Sequence, residues 1–366
     1  MTIAITGMTK SFDATPVLRS VDLTVNDGEL VALLGPSGSG KTTLLKIIAG
    51  LEWPEAGQLT VNGRNWLDLP AQARRIGFVF QHYALFPHMT VRDNLAFGLT
   101  VRPRAQRPAP AQIAARVDEL LTFLQIPHLA DRFPAQLSGG QRQRVALGRA
   151  LAIEPSVLLL DEPFGALDAG VRRDLRAWLR QVHDQTGSTT IFVTHDQEEA
   201  FELADRVVVM GEGRIEQIGT ADQIHDHPAS PFVARFMGAV VELPVTMRAG
   251  RAEAAGLDAS ALERRALPDG PATLFLRPDA ITVEPDPSSP WRLVERTSTG
   301  AQFRLVLEGP ANARIMADLS RHGAPRLDIG ATLRLRPLAG AIFPAARGAA
   351  PAAPPAPLTP IKEISS

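Results

Sequence analysis

The stretch GPSGSGKTT, residues 35–43, restricts the possible folds more than any other part of this sequence. It follows the apolar run ELVALL and opens the helical pattern TTLLKIIAGL, so it predicts a glycine-rich loop between a strand and a helix. Glycines let backbone N–H groups surround a phosphate, because no Cβ atom stands in the way. The spacing G-x-x-x-x-G-K-S/T therefore predicts a nucleotide phosphate site at a helix N-terminus.

Two side chains of this loop have predicted roles. Lys41 is expected to reach the β- and γ-phosphates, and the Thr42 hydroxyl is expected to hold Mg²⁺. A glycine-rich turn without a ligand is the alternative, but the strand–loop–helix context favours nucleotide binding. The predicted nucleotide-binding residues of the loop are Gly35, Pro36, Ser37, Gly38, Ser39, Gly40, Lys41, Thr42 and Thr43.

A second apolar run, VLLLDEP at residues 157–163, ends in two carboxylates. Asp161 stands at the carboxyl end of the predicted strand, where a carboxylate can orient Mg²⁺. Glu162 follows directly and can polarise the water molecule that attacks a γ-phosphate, although the sequence does not decide whether it is a true general base. An ion pair at a strand end is the alternative for the two residues, and the phosphate-binding loop argues against it.

Five apolar runs predict buried strands of a mainly parallel sheet: LVALLG, IGFVFQ, VLLLDE, TTIFVTHD and RVVVM. Ligands of such sheets bind at the carboxyl ends of the strands. Gln81 ends one of these runs and offers an amide oxygen to Mg²⁺, and His195 ends another. The loop, the carboxylates and the imidazole are therefore expected to meet at one site.

Two further features have more than one interpretation. Phe12 is either a core aromatic residue or a platform for an adenine ring. In LSGGQRQRVALGRA, residues 137–150, Ser138 and Gln141 fit a capping box at a helix N-terminus. The box does not explain the two glycines between them, which expose backbone N–H groups at the helix start and predict a second anion site.

The texture of the sequence changes along the chain and predicts an α/β domain followed by a small all-β domain. Residues 1–237 alternate apolar runs with helical patterns, with an inserted helical subdomain at about 87–155. Residues 238–343 carry the alternating segments that are typical of antiparallel strands. Residues 344–366 are mostly Pro, Ala and Gly and are expected to be disordered.

Composition excludes several classes of protein. The chain has no cysteine, which excludes disulfides and thiolate chemistry, and its net charge of −1 argues against a nucleic-acid partner. It shows no signal-peptide pattern and no apolar run approaching the roughly 20 residues of a membrane helix. We therefore expect a soluble chain that reaches a membrane only through a partner.

The motifs together resemble those of a known family. LSGGQ between the phosphate-binding loop and VLLLDEP resembles the signature of ABC-transporter ATPases, and the resemblance covers residues 1–237 almost continuously. Gln81 matches the Q-loop glutamine of that family, and His195 matches its switch histidine. Asp168 matches the D-loop aspartate, and Phe12 matches the aromatic position that stacks on adenine. The resemblance implies a P-loop ATPase fold with an inserted helical subdomain.

It also implies an ATP- and Mg²⁺-dependent ATPase that works as a head-to-tail dimer. Each ATP would lie between the phosphate-binding loop of one subunit and the signature of the other, so ATP closes the dimer and hydrolysis opens it. Because this chain has one set of motifs, it needs a second ATPase subunit, expected to be another copy. The implied catalytic residues are Glu162, His195 and Lys41; the metal ligands are Thr42, Gln81 and Asp161; and the residues acting on the partner's ATP are Ser138, Gly139, Gly140 and Gln141.

Membrane partners are implied as well. The apolar and aromatic segment 80–99 is either part of the helical subdomain core or a groove for a helix of a transmembrane permease, and we expect a mixture among Tyr83, Leu85 and Phe86. The C-terminal region, with LRPDAI, resembles the OB-like accessory domain of importer ATPases. These implications put the chain peripherally on the cytoplasmic face of the inner membrane, with a periplasmic or extracellular solute-binding protein as an indirect partner.

Within the importer ATPases, GFVFQHYALFPHMTVRDNLAFGL is most similar to the sulfate/thiosulfate group. Pro87 departs from that group, which usually has arginine there, and proline is common in sugar, polyamine, iron and molybdate importers. ALGRA in place of ALARA is a minor departure. Sulfate or thiosulfate is the predicted solute, and importers for those other solutes are the alternatives.

Other classes of ATPase fit less well. A small-molecule kinase would lack LSGGQ and the adjacent Glu162. A chromosome-maintenance ATPase needs a long heptad coiled coil between the halves of its site, and residues 82–136 contain none. A soluble translation-factor ATPase, the remote non-transport alternative, would carry two motif sets in one chain. A separate ATPase chain with this C-terminal region favours import over export.

Overall fold

The computed structural model describes residues 1–165, 169–238, 241–262, 267–310, 313–322 and 327–345. The chain divides into two units, Met1–Ile224 and His225–Ser366. This division falls before the sequence-based boundary at residue 237, which remains a prediction. The D-loop residue Asp168 and the predicted tail from residue 346 onward lie outside the described residues.

The first unit contains a six-stranded sheet and a four-stranded antiparallel sheet. Its described strands are β1 (Ile3–Phe12), β2 (Thr15–Val25), β3 (Leu30–Leu34), β4 (Ala56–Val61), β5 (Arg64–Asn65), β6 (Ile76–Val79), β7 (Val157–Asp161), β8 (Thr189–Thr194), β9 (Arg206–Gly211) and β10 (Arg214–Gly219). The larger sheet has the order β10-β9-β3-β8-β7-β6. Strands β9, β3, β8, β7 and β6 run parallel, and β10 pairs antiparallel with β9. The mainly parallel sheet predicted from the five apolar runs is confirmed.

Helices follow or separate these strands. The described α-helices are α1 (Lys41–Ala49), α2 (Val91–Thr100), α3 (Pro110–Phe123), α4 (Gly139–Ala152), α5 (Ala169–Thr186), α6 (Gln197–Leu203), α7 (Ala221–Asp226) and α8 (Pro231–Phe236). Helices α2, α3 and α4 lie between β6 and β7 in the chain, where the helical insertion is predicted. Among the helices described, none has both the length and the apolar character to cross a bilayer.

The core of the first unit explains why its strands read as continuous apolar runs. Every residue of β3, β7 and β8 is buried, so both faces of the sheet are covered. Alternate side chains, such as Val31 and Leu33 of β3, join one core cluster with residues of α1 and of the four-stranded sheet. Burial on this scale fixes the ends of the strands relative to one another.

The four-stranded sheet, with the order β2-β1-β4-β5, is absent from the sequence-based prediction. Its signal is present in β1, where Ile3 and Ile5 are buried and the intervening Ala4 is only partly covered. Such period-two alternation is typical of an antiparallel strand with one face on the core.

The second unit is all-β after α8, which confirms the predicted fold class. Its described strands are β11 (Val241–Arg248), β12 (Arg251–Glu253), β13 (Gly270–Leu276), β14 (Ile281–Pro285), β15 (Arg292–Ser298), β16 (Gln302–Glu308), β17 (Arg314–Ser320), β18 (Leu333–Pro337) and β19 (Ala341–Pro344). They form antiparallel sheets in the orders β12-β11-β13-β19, β14-β18 and β15-β16-β17 around a separate apolar core. Pro344, the first residue of the predicted tail, ends the last of these strands.

Candidate nucleotide site

The phosphate-binding loop runs from the end of β3 to the start of α1. Gly40 precedes the helix with a φ of 95°, a left-handed conformation that favours glycine. A Cβ atom at Gly40 would approach both the Leu18 side chain and the Val17 carbonyl oxygen to 2.7 Å. No side chain caps the first turn of α1, and that turn has no acidic residue. The N-terminal end of α1 is therefore suited to an anionic ligand.

Lys41 turns its ammonium group into this loop. Its Nζ donates to the carbonyl oxygens of Gly35 at 2.9 Å and Pro36 at 2.8 Å, and to the Ser39 hydroxyl at 3.2 Å. Burial lowers the pKa of Lys41, while the carboxylates of Glu162 and Asp161 raise it. The positive charge predicted for phosphate binding is thus held inside the loop.

Thr42 and Asp161 meet across the sheet. The Thr42 hydroxyl donates to Asp161 Oδ1 at 2.8 Å, although the two residues are 119 positions apart. Burial raises the pKa of Asp161; the bond from Thr42 and the positive charge of Lys46 oppose this rise. The pair brings a hydroxyl oxygen and a carboxylate oxygen together, and their role as ligands of Mg²⁺ stays a prediction.

Glu162 is contacted from two neighbouring strand ends. Gln81 Nε2 donates to Glu162 Oε2 at 2.8 Å, and His195 Nδ1 lies 3.6 Å from Glu162 Oε1. The Glu162 backbone has a φ of 44° and its N–H donates to the Val193 carbonyl at 3.1 Å, which aims the side chain away from β7. The imidazole is 59% exposed, so it can approach a ligand in front of the sheet.

The placement of Gln81 differs from its predicted role as an oxygen ligand of Mg²⁺. Its amide nitrogen binds Glu162, and within the described residues no hydrogen bond joins Gln81 to Thr42 or Asp161. An amide carries both a donor and an acceptor, and the adjacent carboxylate selects the donor. The metal role of Gln81 stays a prediction.

The hydrogen bonds that hold the turn around His195 were missed by the sequence-based prediction. The Thr194 hydroxyl donates to the buried Glu199 carboxylate and accepts the Asp196 N–H at 3.0 Å. Asp196 caps α6 by accepting the N–H groups of Glu198 and Glu199. Asp196 before two glutamates is an N-cap signal that was available in the sequence. These bonds fix the turn that carries His195.

Phe12 is not a core residue, so that interpretation is wrong. Its side chain is 45% exposed at the end of β1, and Lys10 Nζ lies 4.9 Å from the ring centroid. An exposed ring is available for stacking, and the adenine contact stays a prediction.

The LSGGQ stretch begins α4 and forms the predicted capping box. Ser138 N donates to Gln141 Oε1 at 2.9 Å, and Gln141 N donates to Ser138 Oγ at 3.3 Å. A Cβ atom at Gly140 would lie 2.7 Å from the Val171 side chain, so close packing is one reason for that glycine. No described hydrogen bond joins these residues to the phosphate-binding loop of the same chain. The role of Gly139 in offering a backbone N–H to an anion stays a prediction.

The segment after Gln81 mixes buried and accessible residues, as expected. Tyr83 is buried, whereas Leu85 and Phe86 are half-buried and Pro87 is exposed. Contact with a permease stays a prediction for the accessible residues.

Comparison with known proteins identifies the family. The ABC transporter family model matches residues 18–165. A relative, the sulfate/thiosulfate import ATP-binding protein CysA 1 of Agrobacterium fabrum, is 49% identical over 362 residues, which cover 94% of this chain and 99% of that protein. This chain belongs to the ABC transporter family. The CysA protein of Caulobacter vibrioides, with the same description, is 60% identical over 284 residues, or 78% of this chain and 83% of that protein.

A solved structure supports the family's ATP-binding fold. The dimeric post-hydrolysis state of the ATP-binding cassette MJ0796, bound to ADP and Pi, matches with a TM-score of 0.55 at 33% identity. The match covers 60% of this chain and 98% of that chain. As an ABC transporter ATPase, this chain binds ATP, and the resemblance seen in its motifs is confirmed.

The ionised Asp161 carboxylate is proposed to serve the nucleotide site, and its burial is expected to lower the stability of the fold. Its pKa is raised above the ordinary 3.8, so folding favours its protonated form, and the ionised form destabilises the fold at pH 7. Asp161→Asn is expected to raise the Tm of the nucleotide-free protein at pH 7, with the advantage shrinking towards pH 4 and below as Asp161 itself becomes protonated. Thermal unfolding at both pH values tests this, and a lower Tm for the variant at pH 7 would contradict it.

Proposed function

We propose that this chain is the ATP-hydrolysing subunit of an importer for sulfate or thiosulfate. The main observation in support of the ATPase role is the hydrogen bond of 2.8 Å from the Thr42 hydroxyl to Asp161, the residue that directly precedes Glu162. The names of the two relatives, both sulfate/thiosulfate import ATP-binding proteins, support the solute. Their alignment over most of this chain supports transfer of that role.

The residues at the strand ends fit Mg²⁺ together with ATP. Mg²⁺ prefers hard oxygen ligands, and Thr42 Oγ1 and Asp161 Oδ1 are a hydroxyl and a buried carboxylate oxygen close enough to share one ion. When bound, the ion supplies positive charge to the phosphate oxygens. Lys41 exchanges its bonds to the loop carbonyls for bonds to the phosphates. Phe12 offers its exposed ring to the adenine.

Glu162 and His195 act on the water and the γ-phosphate. Glu162 Oε2 is held by Gln81, so its position is fixed and its other oxygen, Oε1, is the one nearer to His195. The carboxylate aligns the attacking water and accepts its hydrogen bond. His195 donates to the γ-phosphate from the exposed end of β8. Catalysis then consists of positioning and charge stabilisation, with no covalent intermediate.

The signature completes the site in a dimer. Ser138 caps α4, and together with Gly139, Gly140 and Gln141 it presents the start of this helix to the ATP of a second copy. The dimeric MJ0796 structures support a homodimer. ATP then holds two copies together, and loss of the γ-phosphate releases them.

Attachment to the membrane occurs through partner proteins. The accessible residues of segment 80–99 contact a transmembrane permease at the cytoplasmic face of the inner membrane. The permease receives the solute from a periplasmic or extracellular binding protein, which this chain does not touch. Because those partners select the solute, the site described here is the same whichever anion is carried.

A deletion strain tests the solute. Loss of this gene is expected to abolish growth on sulfate as the sole sulfur source and to be rescued by cysteine, because only uptake is lost. Uptake of labelled sulfate is measured in a strain that expresses no second sulfate system, with the wild-type gene and a Glu162→Gln gene returned on a plasmid. Unchanged sulfate uptake in the deletion strain would overturn the solute, and loss of labelled molybdate uptake would replace it with molybdate.

A further inference from the structure

Arg149 of α4 holds the loop that follows Gln81. We define the Gln81 loop as residues 81–86. Arg149 Nη1 donates to the Ala84 carbonyl at 2.7 Å, and Nη2 donates to the Tyr83 carbonyl at 3.1 Å. The guanidinium carbon also lies 5.3 Å from the ring centroid of Phe86. One side chain of the signature helix thus contacts three residues of this loop.

The backbone that Arg149 binds is in an unfavourable conformation. Tyr83 and Ala84 have φ values of 64° and 47°, in the left-handed region that favours glycine. The turn is tight, because Tyr83 N donates to the Phe80 carbonyl and Ala84 N donates to the His82 carbonyl. Two successive non-glycine residues of this kind persist only where their surroundings hold them. The two bonds from Arg149 go to these same two residues.

The far end of the Gln81 loop is fixed by α2. Asn94 is fully buried, accepts the Phe86 N–H at 2.9 Å and donates to the Thr90 carbonyl at 2.9 Å. The loop is therefore anchored at its end by α2 and at its middle by α4. Its first residue, Gln81, is bound to Glu162 at the nucleotide site. A displacement of Gln81 therefore bears on two anchors, of which Arg149 is the one on the helix that begins with the signature.

The chemistry of the contact requires an arginine. A guanidinium places two N–H groups in one plane and can serve two carbonyls at once, which an ammonium cannot do in that geometry. Among the described carboxylates, none forms a salt bridge with Arg149. Its charge instead faces carbonyl oxygens, in the last turn of α4, where the helix dipole favours a cation.

Helix α4 carries this contact to the signature. It is a single helix of 14 residues with Ser138 as its N-cap, so Arg149 lies roughly 16 Å from the signature along the axis. We propose that Arg149 is a positioning residue that couples the Gln81 loop at one nucleotide site to the signature of the same chain. Because the signature serves the partner's ATP, Arg149 links the two sites of the dimer. The inference rests on the proposed ATPase dimer.

The test measures two quantities: the Hill coefficient of ATP hydrolysis, which reports coupling between the two sites, and the Kd for ATP, which reports whether each site is intact. In the wild-type dimer, ATP hydrolysis plotted against ATP concentration is expected to give a Hill coefficient approaching about 2, the limit for two linked sites. Arg149→Gln is expected to lower it to about 1, while the Kd for ATP of the dilute monomer changes less than about twofold. Arg149→Lys, which keeps the charge, is expected to give the same loss and serves if the glutamine variant fails to fold.

Arg144→Gln is the matched control. Arg144 lies on the same helix, donates to the Leu124 carbonyl at 3.0 Å and packs over Trp178, but it does not contact the Gln81 loop. A similar loss of Tm is expected for both glutamine variants, with the Hill coefficient retained only in the control. A coefficient near 1 in the wild type, or a wild-type coefficient in both Arg149 variants, overturns the proposal. The Hill coefficient of ATP binding, measured by equilibrium dialysis, stays readable if hydrolysis is absent, so failure of the proposed function is seen separately.

Discussion

Glu162→Gln is expected to reduce ATP hydrolysis by at least about 100-fold while ATP binding persists. Glutamine has the same shape, and its amide oxygen can accept the bond that Gln81 Nε2 now donates to Glu162 Oε2. The substitution removes the negative charge that, in the proposed mechanism, aligns the attacking water and accepts its hydrogen bond. Thr42, Asp161 and Lys41 are untouched, so the nucleotide still binds.

The same variant is expected to accumulate as a dimer when ATP is added, because hydrolysis no longer removes the γ-phosphate that holds the two copies together. Size-exclusion chromatography with and without ATP measures this, beside a phosphate-release assay. Glu154→Gln is a suitable control, since Glu154 is an exposed carboxylate of the same unit whose nearest cation, Arg116, is 3.7 Å away. Hydrolysis by Glu162→Gln above about a tenth of the wild-type rate would remove Glu162 from its assigned role.

Two inactive variants are expected to restore activity when they are paired in one dimer. Lys41→Ala removes the ammonium that fills the phosphate-binding loop, and Ser138→Arg places a bulky cation at the start of α4. In a head-to-tail dimer of the two, one composite site carries both defects and the other carries neither. Heterodimers isolated through two different affinity tags are therefore expected to regain ATP hydrolysis, up to about half the wild-type rate, provided that one intact site suffices for turnover.

The arrangement of the substitutions provides the control. A chain with both Lys41→Ala and Ser138→Arg, paired with a wild-type chain, gives one defect in each composite site and no intact site. This heterodimer is expected to be inactive although it contains the same two substitutions. If the control heterodimer is the active one and the first heterodimer is inactive, the signature serves the nucleotide of its own chain and not that of the partner. The comparison also controls for the cap that Ser138 provides to Gln141, because it is lost in both.

The placement of the site residues was predictable because these residues stand at the ends of parallel strands. Asp161, Glu162, Gln81 and His195 each follow a continuous apolar run, and strands of that kind deliver their carboxyl ends to one edge of a sheet. The bond between Thr42 and Asp161 is the expected outcome of that rule. What a sequence pattern encodes here is local: a strand, its end and the residue that follows.

Contacts between distant segments were not predictable in this way. Arg149 and Ala84 are 65 positions apart in the sequence, and no pattern of apolar residues in either segment predicts the hydrogen bond between them. The acceptor to which Gln81 donates is Glu162, and its position depends on the positive φ with which the Glu162 backbone leaves β7. The exposure of Phe12 likewise depends on the packing of the four-stranded sheet, whose alternation in β1 is weaker than the apolar runs of the parallel strands.

The hydrogen bonds that Lys41 makes to its own loop compete with those that it would make to a bound nucleotide. The Lys41 ammonium already donates hydrogen bonds to oxygen atoms of Gly35, Pro36 and Ser39. An incoming ligand must therefore bind the ammonium more strongly than these three neutral oxygens do. Phosphate oxygens carry formal negative charge and form stronger hydrogen bonds with an ammonium than the neutral loop oxygens, whereas the hydroxyls of a sugar or a nucleoside do not. In its proposed role, the loop therefore selects ligands by the charge density of their oxygen atoms.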